Sequence, residues 1–303
     1  MDKSRAITFC LCNRTHTQQF LSNTLQSLPF MPEGPEIKRA ADKIASALVQ
    51  HPVKEVWFAF DHLKHYEEAL TAQKIIAVEP RGKALLTRFE NGLSIYSHNQ
   101  LYGKWEIRRA YGYPQTSRQL RLAIHNSKKS ALLYSASDIE VLDEAAIATH
   151  PFLTRLGPDV LSDAITIEII QARLNDPAFR RRRFTTLLLD QHFLAGLGNY
   201  LRSEIPFVAR VHPSLRPTDC SDAQLFTLAE AAIAIPLRSY QTGGITNDLE
   251  LVATLKARGL RRSQYRHWVF SRVNQPCFVC GTSIVKDVAG ARRFYYCPHC
   301  QPF

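Results

Sequence analysis

Apolar positions recur at two periods along this chain, helical first, then strand-like, then helical again. Ile37, Ala40, Ala41, Ile44 and Leu48 fall at helical spacing, which predicts an amphipathic helix over 36–50. His51-Pro52 ends it, because the residue before a proline avoids helical geometry. From there to about 135 the apolar runs are short and strand-like: 53–60, 74–78, 84–89, 93–97, 105–108, 120–125 and 131–135. Turn residues separate them, notably Pro80-Arg81-Gly82 and Asn91-Gly92, and Asn-Gly between apolar runs is a strong hairpin signal. The character changes around Asp143. Segments 144–148, 164–175, 183–191, 200–207, 222–235 and 249–256 read as helices, with no comparable strand signal before about Tyr265. The expected class is α+β: an antiparallel β-sandwich or barrel carrying a helix, then a helical region, with the boundary near 150–157.

Residues 1–30 differ from the rest. They are rich in Ser, Thr, Gln and Asn, with one apolar patch, Ile7-Thr8-Phe9-Cys10-Leu11-Cys12. That patch is short for a signal-peptide core and no clean small-residue cleavage site follows it. The expectation is a disordered leader or an upstream start that the mature protein lacks. The expected organisation is therefore 1–31 leader, 32–150 β domain, 151–264 helical domain and 265–303 a metal-binding finger.

Charge and cysteine content narrow the chemistry. Lys+Arg 38 against Asp+Glu 27 gives a net charge of +11, a signal for a polyanionic partner, of which nucleic acid is the usual one. No apolar run is long enough to span a membrane. The cysteines do not follow a secreted disulfide pattern. Cys277-Phe278-Val279-Cys280 and Cys297-Pro298-His299-Cys300 form two Cys-x-x-Cys knuckles around residues 281–296, a specific zinc signal. Four thiolates, from Cys277, Cys280, Cys297 and Cys300, complete a tetrahedral shell, so one Zn ion there is structural. The residues between suit a hairpin turning at Ala289-Gly290, with Ala291-Arg292-Arg293-Phe294-Tyr295 near its tip.

Two further stretches carry chemistry. In Leu194-Ala195-Gly196-Leu197-Gly198-Asn199-Tyr200, one helix runs into two glycines and another leaves from Asn199. Such a turn fits a packing corner, or an anion at the new helix's free N–H groups; Arg180-Arg181-Arg182-Arg183 upstream favours phosphate. Met31-Pro32-Glu33-Gly34-Pro35-Glu36 also fits two readings. As an internal segment it is a proline-rich helix start. If the mature chain begins at Pro32, its nitrogen is a secondary amine titrating near ~7.7–8.0 and able to form a Schiff base, with Glu33 beside it to move a proton. An internal Pro32 is a tertiary amide and can do neither.

These stretches together resemble one family. Pro-Glu-Gly-Pro-Glu, the Pro-Arg-Gly-Lys-Ala turn, Gly-Leu-Gly-Asn and the four-cysteine finger, in that order, are similar to the bacterial formamidopyrimidine-DNA glycosylase and endonuclease VIII family, from Met31 to Cys300. Ser97-His98-Asn99-Gln100-Leu101-Tyr102-Gly103 resembles the endonuclease VIII branch. The resemblance implies an N-terminal β-sandwich with flanking helices, then a helix–two-turn–helix domain bearing the zinc finger. It implies a bifunctional DNA glycosylase and abasic-site lyase of base excision repair. The expected partner is double-stranded DNA carrying oxidised bases, chiefly pyrimidines, or abasic sites, and the expected protein is a monomer in the bacterial cytoplasm. Roles follow by position. Pro32 matches the nucleophile, Glu33 the acid/base, Lys83 the hairpin lysine that aids β-elimination, and Arg292 the finger arginine of δ-elimination. Gln100, Leu101 and Tyr102 match the residues that fill the gap left by a flipped base, and Arg155 and Asn199 match phosphate contacts. Arg293 stands where the endonuclease VIII pattern has proline. Val208-Ala209-Arg210-Val211-His212-Pro213 reads more like the formamidopyrimidine branch, and 242–268 departs from the endonuclease VIII pattern. The alternatives are a purine-lesion glycosylase and, if Pro32 stays internal, a non-catalytic binder of damaged DNA.

Overall fold

The computed structural model describes residues 32–303, so the expectations for the leader lie outside the described residues. Helix α1 (Gly34–Leu48) carries Pro35 in its first turn and buries Ile37, Ala41, Ile44 and Leu48. That apolar stripe packs between two four-stranded antiparallel sheets. One sheet runs β1 (Glu55–Phe58), β6 (Leu120–His125), β7 (Lys129–Tyr134) and β5 (Lys104–Arg109). A short helix α2 (Tyr66–Leu70) follows β1, and the second sheet runs β2 (Ile75–Arg81), β3 (Ala84–Phe89), β4 (Ser94–His98) and β8 (Asp138–Leu142). Val56, Phe58, Leu85, Phe89, Ile95, Leu122, Ile124 and Leu133 meet α1 in the shared core. Alternation along each strand sends every second side chain inward.

The turn expected at Pro80-Arg81-Gly82 sits one residue later. β2 runs through Arg81, and Gly82 takes φ +60°, putting Lys83 at the tip of the β2–β3 hairpin. Proline is tolerated in β2 because β2 is an edge strand. Strand β8 and helix α2 were not expected. β8 is also an edge strand, and its Asp138 and Glu140 mask the apolar alternation of Ile139 and Val141.

The second half holds α3 (Glu144–Thr149), α4 (Ile167–Asn175), α5 (Phe184–Leu187), α6 (Leu201–Val208), α7 (Asp222–Gln241), α8 (Leu249–Ala257) and α9 (Arg262–Tyr265). Leu187, Phe193, Leu197, Leu201, Ile205 and Leu228 are among the residues that build its core. The helix expected over 183–191 stops at Leu187. Beyond it the Gln191 side chain donates to the Leu197 carbonyl and accepts from the Gly196 N–H, shaping a loop in place of another turn. The finger's strands are β9 (Val285–Ala289) and β10 (Arg292–Tyr296), joined through Gly290 and Ala291, both at positive φ. Among the described residues no helix is long and apolar enough to cross a membrane.

Candidate active site

The two halves meet where the glycine turn receives the start of α1. The Gly34 N–H donates to the Gly196 carbonyl at 2.7 Å. A Cβ on Gly34 would stand 3.0 Å from the Gly196 Cα, so the backbones touch. The Glu33 side chain crosses the same contact and is buried. Its Oε1 accepts from the Tyr200 N–H at 2.7 Å and its Oε2 from the Leu201 N–H at 3.3 Å, at the N-terminus of α6. A Cβ on Gly198 would fall 2.3 Å from the Glu33 Cδ, so only glycine leaves room for this carboxyl. The anion-ready turn identified in the sequence therefore receives the protein's own glutamate. Its glycines serve that close approach.

Burial pushes the Glu33 carboxyl up to about 8, against the lowering influence of Lys83 and of the two backbone N–H groups. At neutral pH it holds a proton that it can give away. Glu36, one turn into α1, accepts from the Glu33 N–H at 3.1 Å and pairs with Arg39 at 2.5 Å, which fixes the helix start. Lys83 lies within electrostatic reach of both Glu33 and Arg292; burial lowers its ammonium pKa while Glu33 raises it. Its turn is pinned from the other half of the chain, because the Gly82 N–H donates to Asp159 Oδ2 at 2.9 Å. Pro32, directly before Glu33 and half-buried, completes the group.

Arg292 and Arg293 separate by strand alternation. Arg292 shares a face of β10 with buried Phe294, and its charge lowers the pKa of both Lys83 and Arg202. Arg293 contributes its backbone: its carbonyl accepts from Arg202 Nη2 at 2.8 Å. Buried Arg202 also donates to the Thr185 carbonyl and to Asn199 Oδ1, both at 2.7 Å, and lies over the Phe294 ring. It thereby ties the glycine turn to the finger, a role no local pattern announces. Asn199 is half-buried, and its amide NH₂ donates to no described residue. Arg155 is exposed on the helical turn Leu153–Arg155.

Leu101 and Tyr102 are 46% and 56% exposed, although as apolar residues they suit a core. Gln100 precedes them at φ +49°, its N–H donating to His98 Nδ1 at 3.1 Å and its Oε1 accepting from Ser137. Burial, with Lys83 nearby, holds His98 down to about 4 and therefore neutral, as an acceptor must be. From the sequence alone His98 has no role; in the structure it sits opposite Ala84 in the β3–β4 ladder and holds the Gln100 backbone.

The finger's four Sγ atoms lie within 4.8 Å of one another, with Cys280–Cys297 at 3.5 Å and Cys277–Cys300 at 3.9 Å. Zn–S bonds of ~2.3 Å put tetrahedral sulfurs about 3.8 Å apart, so the donor set fits one zinc ion.

A buried carboxyl, a half-buried lysine and an arginine-bearing zinc finger gathered at the start of α1 define a class: a DNA glycosylase with abasic-site lyase chemistry. Residues 31–137 match the formamidopyrimidine-DNA glycosylase N-terminal domain, 156–249 the formamidopyrimidine-DNA glycosylase H2TH domain, and 274–302 the zinc finger found in FPG and IleRS. The chain belongs to the formamidopyrimidine-DNA glycosylase and endonuclease VIII family. It is 49% identical to endonuclease 8 of Salmonella arizonae over 271 residues, covering 89% of this chain and 100% of that protein. Endonuclease 8 of Salmonella enteritidis is 48% identical over the same coverage. Its fold matches Lactococcus lactis Fpg in complex with abasic-site DNA, at TM-score 0.73 and 17% identity over 89% of this chain and 100% of that one. It also matches that protein in complex with DNA containing an oxidised pyrimidine, at TM-score 0.74 and 18% identity over 90% of this chain and 100% of that one.

Proposed function

We propose that the active form begins at Pro32 and excises oxidised pyrimidines from duplex DNA through a Schiff base on that proline. The observation that carries the reading is the buried Glu33 carboxyl, next to Pro32 and seated on the Tyr200 and Leu201 N–H groups, where burial raises it above its ordinary value. The Pro32 nitrogen attacks C1′ of the damaged nucleotide. Glu33 gives its proton to the sugar ring oxygen as the ring opens, the C1′–N bond to the base breaks, and the departing base takes up the proton that the amine loses as the iminium forms. Loss of a C2′ proton then expels the 3′ phosphate. Lys83, whose turn faces Glu33, holds the phosphate beside the lesion. Arg292 supports the second elimination, which expels the 5′ phosphate. Gln100, Leu101 and Tyr102 occupy the space vacated by the flipped nucleotide, where an exposed apolar wedge offsets part of the unstacking cost. Arg155 and the free amide of Asn199 take backbone phosphates. The domain limits 32–150, 151–264 and 265–303 follow the same reading.

Borohydride trapping tests it. The protein is incubated with a duplex carrying one oxidised pyrimidine, reduced, and the cross-linked peptide mapped by mass spectrometry. The expected adduct is on an N-terminal Pro32. An adduct on a lysine, or none on a protein verified to begin at Pro32, refutes the reading. Stronger trapping on an oxidised-guanine duplex favours the purine-lesion alternative suggested by Val208–Pro213.

A further inference from the structure

Residues 250–273 lie outside both the H2TH and the zinc-finger matches. They form an arm of their own, built from α8 and α9. From Leu251 to Arg266 the sequence contains no Asp or Glu, but it contains Lys256, Arg258, Arg261, Arg262 and Arg266. The first four of these cations are exposed. A run of like charge on a floppy segment is ordinarily a solvated face. This one is braced. Ile245, Val252, Leu255 and Tyr265 form a small buried core under the arm, and Phe278 of the finger packs against it. The root is fixed as well: the Thr246 N–H donates to the Arg266 carbonyl at 2.8 Å, and Arg262 Nη2 to the Gly243 carbonyl at 2.6 Å. Arg258 and Arg261 form no ion pair with any described residue.

The arm also stands beside the active site. A Cβ on Gly244 would lie 3.6 Å from Arg262 Nη2 and 3.8 Å from Glu36 Oε1, and Glu36 accepts from the N–H of Glu33. Folding has therefore fixed Arg258 and Arg261, with no ion pair to any described residue, on an arm whose Arg262 stands next to the start of α1. Charge complementarity selects the ligand: the phosphate backbone of duplex DNA. We infer that the α8–α9 arm is an additional phosphate-binding surface that extends the DNA footprint beyond the helix–two-turn–helix and finger contacts. The inference rests on the reading that the chain binds DNA.

The test measures binding to a duplex carrying a non-cleavable abasic-site analogue across a range of salt. The parent is compared with Arg258→Ala/Arg261→Ala. Each phosphate contact contributes ~0.9 to the slope of log K against log salt. The double variant is expected to lower that slope by about 2 and to weaken binding severalfold. Its single-turnover cleavage rate at saturating enzyme should stay within twofold of the parent, and Arg258→Lys/Arg261→Lys should restore the slope. An unchanged slope overturns the proposal. So does a lowered saturated rate at unchanged slope, which assigns the arm to the base pocket. Binding is read without chemistry, so a failed trapping experiment and a failed slope experiment remain distinct.

Discussion

Two buried glutamates from different halves of the chain meet at the same short helix, and their surroundings differ. Glu33 reaches α6 from outside and accepts two backbone N–H groups at its N-terminus. Glu204 belongs to α6 itself. It accepts the N–H groups of Trp268 at 2.7 Å and of Val269 and Phe270 at 2.9 Å, together with the Thr246 hydroxyl. Burial raises both carboxyls above their ordinary value. The difference lies in what completes each shell. Glu204 is enclosed by four donors, and nearby His267 is kept neutral by its own burial, so its carboxyl acts as a clasp between α6 and the chain leading to the finger. Glu33 has two backbone donors, follows Pro32 in the chain and lies within electrostatic reach of Lys83. Burial alone makes a carboxyl weakly acidic; access to a reacting group makes that acidity useful.

The sharpest way to break the comparison is Glu33→Gln. Loss of a positioned proton donor is expected to reduce base release by ~10²–10⁴-fold, measured in single turnover, while Schiff-base trapping on a preformed abasic site persists. In the parent, base release should decline as pH rises through about 8, where Glu33 gives up its proton. Stability carries the same signature. The native state holds a proton that the unfolded chain releases from 4.5 upward. Stability therefore falls as pH rises from 4.5 to about 8. Melting curves across that range should move in favour of Glu33→Gln relative to the parent. Equal base release by the variant and the parent removes Glu33 from the mechanism.

Gly198→Ala asks whether the seat matters as much as the acid. Its methyl group collides with the Glu33 carboxyl carbon, so base release should fall by at least tenfold and the melting temperature should drop. Unchanged kinetics would mean that the turn yields and that the close approach is incidental. Glu204→Ala sharpens the other side. Four donors lose a buried acceptor, a loss of about 3 kcal/mol, read by urea denaturation, and the finger should release its zinc to a chelator sooner. Equal chelation rates would show that the clasp does not hold the finger.

Much of this was legible in the sequence because it is local. The helical spacing of Ile37 to Leu48, the Asn91-Gly92 hairpin and the paired cysteine knuckles each announce themselves within a few residues. The edge strand β8 was hidden because its outward positions are acidic, and the helix predicted over 183–191 was cut short by a Gln191 side chain that bonds across a loop. Long-range partners were the least visible. Nothing near Gly198 in sequence says that Glu33 fills the space beside it. Nothing near Arg202 says that its guanidinium joins Thr185, Asn199 and the backbone of Arg293.

Glu33 and the amides that seat it come from different halves of the fold. Its unusual acidity is thus a property of assembly, present only while the start of α1 is lodged in the Gly196–Gly198 turn. An N-terminal half expressed alone would carry the same Pro32 and Glu33 with the acidity of a free side chain. The protein in effect contains a coincidence detector: a carboxyl near one end of the described chain that takes on its raised pKa only when the far half of the fold has closed upon it.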